Sequence, residues 1–433
     1  MKKTKMSAKF WIALTIFSLI GQVAWVVENM YFNVFIYKMF NASAAQISLM
    51  VSASSIAATV TTLLIGALSD KLGKRKLFIC SGYMLWGVSI WCFSLIRSGV
   101  INKFFPMAVS AATVGVSLVI ILDCIMTFFG SAANDACFNA WLTDVTDDTN
   151  RGAAEGINSM MPLVAILVVF GGFMSFNLDL ESSWITIFKI IGIVVFLLGI
   201  LGVFLIQDKP VDTSQNQNYF KNIFYGFRPS VIKENKMYYI VLVAYAVFNI
   251  SIQIFMPYLI LYYDVSLKLS NYVLIMAPAV IVAAIVTAFY GRVYDRFRFK
   301  KSVIPSIAML MLGYVILYIF TNTIMVFVGS LFMMSGYLTN MAVFGAMLRD
   351  YTPQNRTGMF QGLRIVGQVL IPGIIGPEIG ASVLKNAEQV LNNDGTYSFI
   401  PNQNIFLAAL VAAIAIGFVL IFVFRILKEK DRK

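Results

Sequence analysis

Apolar residues fall in long blocks along nearly the whole chain, near 10–37, 46–68, 77–97, 113–143, 153–176, 184–206, 237–263, 270–291, 302–320, 323–348, 357–384 and 404–424. Short polar stretches separate them. A helix rises about 1.5 Å per residue, so about 20 apolar residues cross a hydrocarbon core about 30 Å thick. The pattern predicts twelve transmembrane helices. Residues 98–112 leave the start of the fourth open, as early as Phe105.

Composition agrees with that reading. Of 433 residues, 59% are hydrophobic and 12% charged, against about 45–50% and about 25% in soluble domains. A soluble enzyme of two or three domains is excluded. The absence of His removes histidine metal sites, His-based nucleophilic catalysis and any imidazole proton relay. Cys80, Cys92, Cys124 and Cys137 lie inside apolar runs and read as small buried residues, with no CxxC pair.

The net charge of +12 sorts by loop. With the N-terminus inside, the basic residues cluster on one side, at Lys2–Lys9, 71–76, Arg151, 207–236, 292–301, Arg349, Arg356 and the C-terminal tail. Only Lys38, Arg97, Lys103, Lys268 and Lys385 fall on the other side, and Lys189 and Arg364 lie within spans. Loop charge sets orientation, so both termini are expected in the cytoplasm, with an uncleaved first helix. The basic excess is a topology signal and calls for no nucleic acid. The longest polar stretch, 207–236, carries Gln-Asn-Gln-Asn at 215–218 and Arg228-Pro229. It reads as a cytoplasmic linker between a six-helix half at 1–206 and another at 237–433 with a short basic tail.

The two halves repeat each other. After span two stands Gly66-Ala-Leu-Ser-Asp70-Lys-Leu-Gly-Lys-Arg-Lys76, and after span eight Gly291-Arg-Val-Tyr-Asp295-Arg-Phe-Arg-Phe-Lys-Lys301. Span four ends Asn134-Asp-Ala-Cys-Phe-Asn-Ala-Trp-Leu-Thr-Asp144-Val-Thr146, and span ten Asn340-Met-Ala-Val-Phe-Gly-Ala-Met-Leu-Arg-Asp350-Tyr-Thr352. Each is followed by Asn-Arg, ending at Arg151 and Arg356. More weakly, Asn29, Asn33 and Phe35 of span one match Asn249, Gln253 and Phe255 of span seven. Same-direction repeats of six spans are the plan of transporters that rock about a midplane site.

The Gly66–Lys76 run resembles the G-x-x-x-D-x-x-G-[RK]-[RK]-[RK] loop of the major facilitator superfamily. The resemblance implies a twelve-helix, all-α membrane fold of two parallel six-helix halves. It also implies gating by Gly66, Asp70 and Arg75, with Asp295, Arg151 and Arg356 at the repeated positions. Gly66 would let helices approach, and Asp70 would accept hydrogen bonds from a helix N-terminus or pair with an Arg. The block from Asp135 to Thr146 is similar to the D-x-P-[YF]-x-A-L-x-P-D-x-T stretch of the glycoside–pentoside–hexuronide:cation symporters, the melibiose permease group. Asp135, Phe138, Ala140, Asp144 and Thr146 fall in register. That resemblance implies that Asp135 is the helix-four carboxylate for cation and sugar. The family's paired Asp residues in helix two fall on Ala58 and Thr62 here, and its sugar-stacking aromatic on Asn139.

Charges within spans need a reason, since each costs roughly 2.5–3.5 kcal/mol at the bilayer centre. Asp135 lies about 14 Å in from Asp144, near mid-depth, flanked by Asn134 and Asn139. It is the first candidate for cation coupling, with an interhelical hydrogen bond as the alternative. Asp123 shares a face with Thr127, Gly130 and Asn134 close to the outer surface, where it either lines a vestibule or is simply solvated. In span one, Gln22, Asn29 and Asn33 fall on one face beside Trp25, and Glu28 points about 100° away. Amides and a flat ring suit sugar hydroxyls; helix packing is the alternative. Arg364, with Gln361 and Gln368 on its face, either binds an anionic group or Asp135, or snorkels to the cytoplasm.

The expected function is secondary transport of a small solute, a glycoside or oligosaccharide, with cation coupling that favours a proton over sodium. Substrate contacts are expected at Trp25, Asn29, Asn33, Asn134, Asn139, Asn249, Gln253 and Arg364, and cation coupling at Asp135, Glu28 and Asp123. An exporter of amphipathic drugs or lipids on the same fold is the alternative. No nucleotide loop, metal cluster or nucleophile–base pair points to an enzyme, and no cofactor is expected. The expected setting is the cell (inner) membrane, with a functional monomer and the lipid bilayer as its surroundings.

Overall fold

The computed structural model describes residues 6–105, 110–147, 150–208, 225–269, 271–352, 357–392 and 397–430, with backbone alone at 70, 151, 152, 225, 295, 357–359, 361, 429 and 430. Among the described residues, twelve helices are long and apolar enough to cross a membrane: Ala8–Phe40, Ala44–Ser69, Arg75–Leu95, Ala111–Val145, Ala153–Phe173, Glu181–Leu205, Lys236–Ser266, Val273–Tyr294, Arg296–Ile319, Thr323–Asp350, Gly362–Val383 and Asn404–Lys428. They are called spans 1 to 12. This is a multi-pass membrane protein. In lipid every backbone N–H and C=O must be paired within its own segment, and the helix does that locally. The uncertain start of span 4 resolves at Ala111, after a short helix at Ser98–Phe104. A small antiparallel hairpin pairs β1 (Gln389–Leu391) with β2 (Tyr397–Phe399) between spans 11 and 12.

The chain divides into two units. Unit 1 comprises Met1–Ala42 and Ala53–Lys221; unit 2 comprises Ser43–Ser52 and Asn222–Lys433. Within unit 1, span 3 packs on span 6 through backbone: a Cβ on Gly87 would lie 2.4 Å from the Phe196 nitrogen and 2.6 Å from the Gly192 oxygen. Span 1 packs on span 5, where the Ser18 hydroxyl donates to Asn158 Oδ1 at 2.8 Å. Within unit 2, spans 9 and 10 touch at Gly313 and Gly336, and span 7 meets span 11 where Gly376 faces Gln253. The Ser43–Ser52 segment is tied into unit 2 by the Ser48 hydroxyl on Glu378 Oε2 (3.2 Å) and the Tyr258 hydroxyl on the Ala44 carbonyl (3.1 Å).

Among the described residues, four turns widen from the α pattern to the i→i+5 pattern: Val27–Tyr31 in span 1, Ser131–Phe138 in span 4, Tyr262–Ser266 in span 7 and Val366–Leu370 in span 11. Such turns are rare and recur at functional sites.

The repeated basic loops both pass through a positive φ. Gly73 has φ 62° and Arg298, at the matching position, has φ 59° and ψ 180°. Only glycine visits the latter region without strain of about 1–3 kcal/mol. Glycine also gives the unfolded chain more freedom, which offsets part of that gain. Arg298→Gly is therefore expected to raise stability by about 1 kcal/mol, while Arg298→Ala brings no such gain. Thermal unfolding of the detergent-purified variants checks this, and equal midpoints for Gly and Ala would count against the strained turn.

Candidate functional site

The candidate residues of unit 1 gather around the wide turns of spans 1 and 4. Glu28 (7% exposed) and Asp123 (1%) are buried, and Asp135 is half-buried. The Thr127 hydroxyl donates to Glu28 Oε1 at 2.8 Å, and the Ser131 hydroxyl to Asp135 Oδ2 at 3.0 Å. Asp123 faces Glu28 and the Ser54 hydroxyl, and Asp135 lies further along the same cluster. Glu28 Oε2 and Asp123 Oδ1 have no hydrogen-bond partner. The Trp25 N–H is buried beside Asp135 without a hydrogen bond of good geometry, and its ring packs on Trp86 with centroids 5.0 Å apart.

Asparagine side chains on these two helices bond back onto the carbonyl one turn earlier. Asn29 Nδ2 donates to the Trp25 carbonyl (2.8 Å), Asn33 Nδ2 to the Asn29 carbonyl (3.0 Å) and Asn139 Nδ2 to the Asp135 carbonyl (3.2 Å). Asn29 and Asn139 are exposed. Asn134 is buried with Nδ2 unpartnered, in room left by Gly21, where a Cβ would lie 2.1 Å from that nitrogen.

Three expectations change. Asn29 and Asn33 do not share one face, because the wide turn at 27–31 rotates Asn33 into the interior, fully buried. Asp123 is neither solvated nor on a vestibule wall; its whole face, with Thr127, Gly130 and Asn134, is buried in unit 1. Gly66 is no close-contact position, since a Cβ there would meet only Ala136 Cβ at 3.9 Å.

Unit 2 keeps the skeleton of the arrangement and drops its charges. Asn249 Nδ2 donates to the Tyr245 carbonyl at 2.8 Å, the same bond at the same repeat positions as Asn29 and Trp25. Asn340, the counterpart of Asn134, is fully paired: Oδ1 accepts from Ser306 and Nδ2 donates to the Gly336 carbonyl, both at 2.8 Å. Glu28 and Asp135 align with Phe248 and Met341. Gln253 is half-buried against Gly376. Arg364 is also half-buried, with Nε donating to Gln368 Oε1 at 3.2 Å and its guanidinium 6.0 Å from the Tyr245 ring centre. Among the described residues it makes no ion pair.

At the loop after span 2, buried Arg75 donates through Nε to Asp144 Oδ2 at 3.2 Å and through its guanidinium to Ser69. In unit 2 the matching Asp350 accepts instead from the Tyr294 hydroxyl at 2.7 Å. The repeated Asp thus anchors its loop in both units with different donors. Sequence reasoning named Arg75 but missed Asp144 and Tyr294; the repeat of Asp144 as Asp350 was the available signal. The side chains of Asp70, Arg151 and Asp295, and residue Arg356, lie outside the described residues. Arg75→Ala is expected to cost about 1–3 kcal/mol, because Asp144 loses its donor in a partly buried setting. A cycle with Asp144→Asn should show strong non-additivity in thermal unfolding; additive losses would deny the pair.

A family model described as Major Facilitator Superfamily matches residues 10–377. The chain belongs to the major facilitator superfamily. No curated protein matches it. A variant of the nucleoside transporter NupG superposes on this superfamily member with TM-score 0.71 at 15% identity, covering 95% of this chain and 99% of its own. The inward-open xylose transporter XylE from E. coli gives 0.69 at 13%, covering 95% of each chain. A bacterial homolog of the human lysosomal transporter Spinster, inward-facing and occupied, gives 0.68 at 16%, covering 97% and 98%. At these identities the likeness is one of fold.

Proposed function

We propose that the chain is a secondary active transporter in the cell membrane, with both termini cytoplasmic, that moves a glycoside or oligosaccharide by alternating access with a coupled proton. The observation that carries this reading is the acidic cluster of unit 1, with Glu28 and Asp135 on two wide turns beside the exposed side chains of Asn29 and Asn139. Asp135 is the coupling carboxyl. It is half-buried and accepts a hydrogen bond from the Ser131 hydroxyl. Asn29, Asn139 and the Trp25 ring supply donors, acceptors and a flat apolar surface for a sugar. Solved structures of the same fold include one named as a D-xylose–proton symporter, which lends support to this class.

The test is thermal stability of the purified protein against mono- to trisaccharides, with and without sodium, in acidic and neutral buffer. Ligand at about 100 times its Kd stabilises by about 2.7 kcal/mol. A shift with one sugar class supports the reading. No shift with any sugar, together with one from amphipathic cations or lipids, would move the function to export.

A further inference from the structure

The few basic residues expected on the sparse side of the charge pattern are not alike. Lys38 is answered by Asp179, with Nζ 2.7 Å from Oδ1. Arg97 and Lys103 follow span 3, and no acidic residue occurs in the chain between Asp70 and Asp123. Neither forms an ion pair among the described residues, and Arg97 Nε has no hydrogen-bond partner. Two cations thus stand against the loop-charge trend with no carboxylate of the chain to meet them.

The element that carries them suits a membrane surface. Ile96 (φ −80°, ψ 91°) and Arg97 (φ −137°, ψ 146°) are extended, so the chain leaves the helix of span 3 before it coils again at Ser98–Phe104. Those 7 residues rise about 10 Å, too little to cross a bilayer. At about 100° per residue, Val100, Ile101 and Phe104 fall on one side of the short helix, with Asn102 and Lys103 on the other. Ile101 is buried and seats the helix on unit 1. Phe104 is nevertheless 72% exposed, and Phe105, which ends the helix, 47%. Leu95, at the end of span 3, is exposed as well. A basic polar face opposite an aromatic apolar one is the pattern of a helix that lies in the headgroup zone.

We propose that this segment docks an anionic phospholipid: Phe104 and Phe105 enter the acyl region of the leaflet at that end of span 3, and Arg97 and Lys103 take the lipid phosphate. One molecule answers both halves of the surface. A free phosphate would leave the phenyl rings in water, and a zwitterionic lipid carries an ammonium that competes with the two side chains for its own phosphate. The site makes no demand on the solute or the coupling ion, so it stands apart from the transport reading.

The test puts p-benzoylphenylalanine in place of Phe104 in the full chain, reconstituted into vesicles with equal phosphatidylglycerol and phosphatidylcholine in both leaflets. Irradiation should link the probe to lipid, and mass spectrometry of the adducts reads which lipid. Phosphatidylglycerol adducts are expected in about fivefold excess, the enrichment that one Lys or Arg gives near an anionic surface. Adding Arg97→Gln and Lys103→Gln should bring the ratio to about one. Raising salt from about 0.1 M to about 1 M shortens the screening length from about 10 Å to about 3 Å. That should shrink the excess with both cations in place, which keeps the test decisive if the double variant folds poorly. Lys385→Gln, in unit 2, should leave the ratio unchanged, and an equal fall there would overturn the proposal by reducing the effect to overall charge. Lipid adducts with no headgroup preference would overturn it too. So would the absence of lipid adducts, or linkage to a second copy of the chain, which would make the segment a protein interface.

Discussion

Replacing Asp135 by Asn is expected to abolish uphill accumulation of solute while leaving exchange across the membrane intact. Asn matches Asp in size, and its side-chain oxygen still accepts from Ser131, which lies 3.0 Å from the native carboxylate. The wide turn at Ser131–Phe138 should therefore persist. What the variant cannot do is take up and release a proton. A potential of about 100 mV is worth about 2.3 kcal/mol per charge moved, which sustains roughly fiftyfold accumulation when one charge accompanies each solute. In the variant the ratio should fall to about one. The measurement is uptake of the stabilising sugar into proteoliposomes under an imposed proton gradient, beside counterflow with no gradient. Undiminished accumulation would remove Asp135 from the coupling step.

The second large effect is structural. Ala normally stabilises a helix by about 1 kcal/mol over Gly, and the sign should reverse where spans 3 and 6 cross. A Cβ on Gly87 meets the backbone of Phe196 and Gly192, and a Cβ on Gly192 lies 2.7 Å from both the Gly87 oxygen and the Trp91 nitrogen. Backbone cannot rotate away as a side chain can, so the helices must separate and forfeit their packing along the crossing. In membranes close packing of small residues is a main source of helix association. Gly87→Ala and Gly192→Ala are each expected to lose about 2–3 kcal/mol, and Gly87→Leu to yield no monodisperse protein. Gly417, in span 12, has nothing within 4 Å of a built Cβ, so Gly417→Ala should hold or gain stability. Thermal unfolding of the three Ala variants decides the matter, and similar midpoints at 87 and 417 would refute the crossing.

Much of the fold could be read from the chain. Hydropathy located the spans to within a few residues because lipid imposes helix on any long apolar stretch. The repeat alignment carried further than it promised: the weakest match, Asn29 with Asn249, corresponds to the same side-chain bond onto the carbonyl of an aromatic residue. The site was less legible. A period of 3.6 residues per turn puts Asn33 on the face of Asn29, but the turn at 27–31 departs from that period and Asn33 is buried. Depth along span 4 puts Asp123 near an end, but helical rise says nothing about what neighbouring helices cover, and Asp123 is buried. The motif presents Gly66 as a contact glycine, and a Cβ there meets only Ala136 at 3.9 Å. The glycine that bears a conformational demand in that motif is Gly73, and it shows only as a positive φ.

The wide turns also bear on how this chain must be compared with its relatives. Each inserts a fraction of a turn without interrupting an apolar run, so the extra residue is invisible to hydropathy. Alignment schemes that forbid gaps inside spans would pair Tyr31 onward with positions one residue out of phase in any relative whose first helix is regular. Asn33, which faces the interior here, would then be matched to a side chain turned by about 100°. A one-residue gap placed within Val27–Tyr31 restores the phase, and the same allowance applies at Ser131–Phe138.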